Sequence, residues 1–163
     1  QRKKGKSVEK SMLKAIKRGI FSEKTYYGYL VSGVFSFSDL ESNFQGLLFM
    51  RAMCEGDNPL LVKNKSGQWS LARKVDITKY VTPKWDESFY PNTYKKARFK
   101  QVRPYMEKYC DKRKEDSVVS RLKYYYLNDK DNLNSLHLDK LIQKKKIKNP
   151  AFQNLSYVCW MKD

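Results

Sequence analysis

The stretch whose reading decides the fold is VFSFSDLESNFQGLLFMRAM, Val34 to Met53. Leu40, Phe44, Leu47, Leu48 and Phe49 leave little of its surface polar, so it predicts a helix that is apolar nearly all round and buried. Ser38 fits the N-cap, Glu41 falls at N3 as its capping-box partner, and Asp39 at N1 suits the positive end of the helix dipole. At about 100° per residue, Asp39, Ser42, Asn43 and Gly46 share one face, which Met50 and Met53 continue. Polar groups on a buried helix must find partners, so this stripe is either a packing device or a semi-buried site. Gly46 costs about 1 kcal/mol against alanine in a helix interior, and close approach of another backbone is the expected compensation.

Outward from that helix the punctuation is readable. Ser7 caps a first helix over SVEKSMLKAIKRG, with Val8, Met12 and Ile16 on one face and Gly19 as its stop. EKTYYGYLVSG (23–33) reads as an irregular buried linker or a short strand. LLVKNKSGQWSLARKV (60–75) alternates around Lys65-Ser66-Gly67, a hairpin pattern, and Asp76 caps the short DITKYV. A third long helix is expected from Tyr94 to Cys110, kinked or broken at Pro104. DSVVSRLKYYYL supplies a fourth, whose consecutive tyrosines Tyr124, Tyr125 and Tyr126 splay so widely that at least one packs inward. A fifth begins near Ser135, and the tail LSYVCWMKD adds a strand or packs irregularly. The expected fold is mainly α, about five helices with one small β-hairpin. Residues 1–6 read as a basic flexible end and 7–163 as a single globular domain, either whole or the C-terminal part of a longer protein.

Composition narrows the partners. Thirty-four Lys+Arg against 17 Asp+Glu give a net charge of +17, a field that attracts nucleic acid, anionic lipid headgroups or acidic envelope polymers. The anion-binding candidates are Lys95, Lys96, Arg98 and Lys100 in one cluster and Lys144, Lys145, Lys146 and Lys148 in another. Neither cluster carries an RNP motif, zinc finger or helix-turn-helix. Cys54, Cys110 and Cys159 form no C-x-x-C pair. Either Cys110 and Cys159 bridge in an oxidising compartment, with Cys54 a buried thiol, or all three are reduced and buried. No apolar run is long enough to span a membrane.

Catalytic constellations are sparse. His137 is the single histidine, placed at a predicted helix start, so Cys–His and Ser–His–Asp chemistry lack support, and no metal-ligand spacing or cofactor motif occurs. One carboxylate set remains: Asp39, beside Asn43, facing Asp86 and Glu87 if the WDES loop folds over the stripe. Trp85 would then wall an apolar pocket with Ser36, Ser42 and Gly46. The competing reading has Trp85 anchoring the loop while Asp86 and Glu87 are solvated or paired with lysines.

FSFSDLESNFQG (35–46) resembles an FSxxDLxSNxxG segment of an uncharacterised bacterial family, a domain of unknown function found in predicted envelope or secreted proteins. EKTYYGY and YVTPKWDESFYPNTY are similar to stretches that flank it there, so the likeness covers about residues 23–94. The matched positions are Phe35, Ser36, Asp39, Leu40, Ser42, Asn43, Gly46, Trp85, Asp86 and Glu87. Ser22 stands where the family has a histidine before the glutamate, and an earlier histidine-rich portion has no counterpart. If the family is metal-dependent or enzymatic, this chain is a truncated or altered version. The resemblance implies a periplasmic, envelope or secreted location. The leading expectation is a domain that binds an anionic polymer or surface through lysines. The alternatives are a hydrolase or toxin-like enzyme with a carboxylate site, or an intracellular, cytoplasmic nucleic-acid-binding protein.

Overall fold

The computed structural model describes residues 7–86, 92–127 and 129–161. The expectation for residues 1–6 lies outside them, as do Glu87 and the side chains of Tyr124, Tyr125 and Tyr126. The helices are α1 (Val8–Lys24), α2 (Phe37–Cys54), α3 (Lys96–Lys112), α4 (Asp116–Tyr126), α5 (Leu133–Gln143) and α6 (Leu155–Trp160). The strands are β1 (Val34–Phe35), β2 (Leu61–Lys63), β3 (Trp69–Leu71) and β4 (Thr93–Tyr94). The fold is mainly helical with a small antiparallel β component.

α2 is the hub, packed against α1, α5, β2 and two short 3-10 turns, Ile77–Tyr80 and Pro83–Trp85. Its N-cap is Ser36, not Ser38: the Ser36 hydroxyl accepts from the Asp39 backbone N–H at 3.0 Å. Starting two residues earlier places Phe37 in the core, edge-on to Phe35 with ring centroids 5.2 Å apart. The core then gathers Ile16 and Ile20 of α1, Phe44 and Leu40 of α2, Leu138 of α5, and Ile147 beyond it.

Four other elements differ from expectation. α1 runs through Gly19 to Lys24, because its inward series continues from Ile16 to the buried Ile20 and Glu23. Residues 25–33 form a series of turns, not a buried linker. The Tyr29 N–H donates to the Glu23 carbonyl at 2.7 Å, which ties the segment to the end of α1, while Tyr26, Tyr27, Leu30 and Val31 point outward. α3 is not broken at Pro104, the second of the two expected outcomes; the carbonyl that proline frees belongs to the exposed Lys100, so it is not stranded in the core. The tail is helical: Asn154 caps α6 by accepting from the Tyr157 N–H at 2.7 Å, and Leu155 and Cys159, one turn apart, face Cys110.

The hairpin pairs Leu61 with Leu71 and Lys63 with Trp69 around a turn containing Gly67 in the left-handed region. A second pair, β1 with β4, joins Phe35 to Thr93 and was not legible in the sequence, each strand being two residues long. Asp76 caps the 3-10 turn that follows the hairpin, and hydrogen bonds from the Thr78 hydroxyl and N–H hold its carboxyl below the usual range.

Cys110 and Cys159 are joined by a disulfide that fastens α3 to α6, with Cα atoms 5.3 Å apart. Cys54, expected buried, is exposed at the last residue of α2, beyond the part of the helix that faces the core. Closing a loop over a separation of 49 residues restricts the unfolded chain, so reduction should lower the unfolding free energy by about 3–4 kcal/mol. Chemical denaturation with and without a thiol reductant measures this, and a Cys54→Ser variant should behave as the parent does.

Candidate functional site

The stripe on α2 faces away from the core. Phe37, Leu40, Phe44, Glu41 and Gln45 turn inward, which leaves Asp39, Asn43 and Gly46 exposed on the opposite flank and Ser42 half-buried. Ser36 serves the helix cap, and the Ser42 hydroxyl donates to the Asp39 carbonyl at 3.0 Å. Asn43 and Gly46 border an apolar cavity of about 370 Å³ between α1 and α2, walled by Ala15, Gly19, Leu47 and Met50 among others. Trp85 does not border it; its side chain is 36% exposed at the end of the turn that packs on α2. Asp86 is half-buried and partnered, and Glu87 lies outside the described residues. The expected hollow between the Asp39–Asn43 edge and Trp85 is therefore not formed, because the helix buries its other polar edge.

That other edge is a network the sequence reading missed. Glu41, 1% exposed, accepts from Gln45 Nε2 at 2.7 Å, Asn132 Nδ2 at 2.8 Å and Asn134 Nδ2 at 3.0 Å. Asn132 also caps α5 through a reciprocal capping box with Ser135. Glu41 read as a capping residue in the sequence; its i,i+4 spacing to Gln45 puts the two on one face, and only the contacts with Asn132 and Asn134 make that face the buried one.

The two basic clusters do meet. Tyr29, half-buried, has Lys95 Nζ 5.5 Å and Lys148 Nζ 5.4 Å from its ring centroid, and its hydroxyl accepts from Lys148 at 2.9 Å. Lys24 and Lys146 join them: Lys24 Nζ donates to the Lys146 carbonyl at 2.9 Å, and Lys24, Tyr29, Lys146 and Lys148 line a cavity of about 270 Å³ floored by Phe35 and Ile147. On the other side Lys95 Nζ donates to the Leu30 carbonyl at 3.0 Å and Arg98 Nε to the Ser32 carbonyl at 2.9 Å. Lys96, Lys100, Lys144 and Lys145 are exposed on the same two segments. Among the described residues, no carboxylate is ion-paired with any of these cations. Each ammonium that donates to a carbonyl keeps two further N–H donors.

Local sequence explains the placement. A Cβ at Gly28 would lie 1.9 Å from the Glu23 carbonyl oxygen, so only glycine lets the chain fold back on α1 and set Tyr29 there. The Glu23 carboxylate, buried, accepts from the Ser36 N–H at 2.8 Å and ties that corner to the start of α2. The lysine run leaves α5 through a Schellman turn: Lys146 N–H donates to the Leu141 carbonyl, Lys145 N–H to that of Ile142, and Lys145 takes φ 54°. Ile147 then plugs into the core, which fixes Lys146 and Lys148 on either side of it. Lys24 and Tyr29 escaped the sequence reading because their segment read as buried.

Comparison with family models, curated proteins and solved structures finds no match to this chain. His137 is half-buried on α5, and burial, followed by the charges of Lys17 and Lys140, lowers its pKa from 6.5. A lowered value in the folded state contributes stability that is present above pH 6.5 and is lost as pH falls from there toward the folded value. Stability measured between neutral and mildly acid pH should fall less steeply in His137→Gln than in the parent.

A Cβ at Gly46 meets nothing within 4 Å, so no backbone approach compensates its helix cost. Gly46→Ala should stabilise the fold by about 1 kcal/mol in denaturant titration; destabilisation would reveal a constraint at that position.

Proposed function

We propose that this chain is an envelope-associated or secreted domain that binds an anionic partner through the cationic surface around Tyr29. The observation that carries the reading is the convergence of Lys24, Lys95 and Lys148, from three separate stretches of chain, on the surface around Tyr29, with the Lys95 and Lys148 ammonium groups over its ring. Like charges brought together repel, and a bound anion relieves that repulsion while taking the unused N–H donors. A cavity floored by apolar groups and rimmed by ammonium groups strengthens the attraction by excluding water from part of it. The Cys110–Cys159 disulfide supports an oxidising compartment over a cytoplasmic one. No helix among the described residues is long and apolar enough to cross a membrane. The carboxylates considered for hydrolysis gain no support, since Asp39 is exposed on the flank of α2 that faces solvent.

Heparin, a soluble sulfated polyanion, tests the proposal by titration over a salt series. The parent should lose affinity steeply with salt, and Lys95→Gln with Lys148→Gln should weaken binding and flatten the double-logarithmic slope by about one per lysine removed. Substituting Lys65 and Lys74, which lie on or beside the hairpin, should change neither quantity much. Equal effects from both pairs would reduce the cluster to general positive charge.

A further inference from the structure

The cationic cluster has an apolar neighbour. Within eleven residues, Phe21, Tyr26, Tyr27, Leu30 and Val31 are 62%, 77%, 83%, 64% and 74% exposed. Large apolar side chains scattered singly over a surface are ordinary, but a run of them on one strap of chain marks a contact surface. The strap is fastened to the cations by direct bonds: Lys95 Nζ holds the Leu30 carbonyl, Arg98 Nε holds the Ser32 carbonyl, and Tyr29 sits between Lys95 and Lys148. Val31, Lys95 and Arg98 also border one shallow hollow, so apolar tip and charged rim are contiguous.

We infer that residues 21–31 dock this protein on the surface of an anionic lipid bilayer. Leu30, Val31 and the two exposed tyrosines enter the interfacial layer while Lys24, Lys95, Arg98 and Lys148 engage headgroup phosphates. The inference rests on the anion-binding proposal and names its partner. Three features select a bilayer. Leu30 and Val31 are aliphatic and offer nothing to a nucleic-acid backbone or to a base that stacks, whereas an acyl boundary rewards their burial. Tyrosine, with an apolar ring and a polar tip, suits the headgroup level. Lysines flanking the apolar tip are the pattern that draws a protein to a negatively charged leaflet, and their stems lie along it while their ammonium groups stay in water.

Flotation with vesicles provides the test, using phosphatidylcholine alone and phosphatidylcholine mixed with phosphatidylglycerol, beside the heparin titration. The parent should float with the anionic vesicles and not with the neutral ones. Leu30→Ser combined with Val31→Ser should reduce partitioning at least about tenfold and leave heparin affinity unchanged. Tyr26→Ser with Tyr27→Ser is the second variant, should the first melt early. Lys95→Gln with Lys148→Gln should weaken both vesicle and heparin binding. Heparin binding without vesicle binding would overturn the bilayer inference and leave the anion-binding proposal standing. The same holds if vesicle binding ignores the apolar substitutions, or if these lower heparin affinity equally. Absence of both kinds of binding in the parent would overturn the two together.

Discussion

The buried carboxylate of Glu41 is the constraint on which the rest of the architecture turns. A charge removed from water is tolerated only when its oxygens are supplied with donors, and here three carboxamides, from α2, α5 and the residue that caps α5, supply them. Those donors lie on both sides of a helix–helix contact, so the network specifies where along α2 the start of α5 must sit. The apolar residues around it are interchangeable in principle; a carboxylate with three partners is not. Because Asn132 also caps α5, the bond that satisfies Glu41 and the one that begins the next helix depend on the same side chain.

Orientation of α2 by that network has a second effect. Turning Glu41 and Gln45 inward sends the Asp39–Asn43–Gly46 flank out, where Asn43 and Gly46 border a cavity against α1 that is separate from the one lined by Lys24, Lys146 and Lys148. The start of the same helix meanwhile receives the Glu23 carboxylate through the Ser36 N–H. The corner between α1 and α2 is thus held by one buried acid and the contact of α2 with α5 by another, while the excess of positive charge lies outside. Acidic side chains do the internal work in a strongly basic protein.

Much of the architecture was legible in the residues. Periodicity found α2, α3 and α4, turn chemistry found the hairpin around Gly67, and composition found both lysine clusters. The cysteine spacing left the Cys110–Cys159 bridge as one of two readings. What escaped depended on contacts between distant segments. A serine that can cap a helix occurs at both Ser36 and Ser38, and only the burial of Phe37 against Phe35 chooses between them. The two-residue strands β1 and β4 have no period to detect. Tyr29 belongs to an aromatic segment whose composition suggests burial, while its place beside Lys95 and Lys148 is set by the chain reversal at Gly28 and by a turn more than a hundred residues later.

Ile147 gives the charged surface a dependence that its composition conceals. The side chain belongs to the same packed cluster as Phe37, Phe44 and Leu138, yet its neighbours in the chain are two of the lysines at the rim. Those lysines inherit their spacing from an interior plug rather than from the loop that carries them, and the left-handed residue before it leaves the loop little slack. Interior positions far from any ligand would consequently register in a scan for recognition as though they touched it.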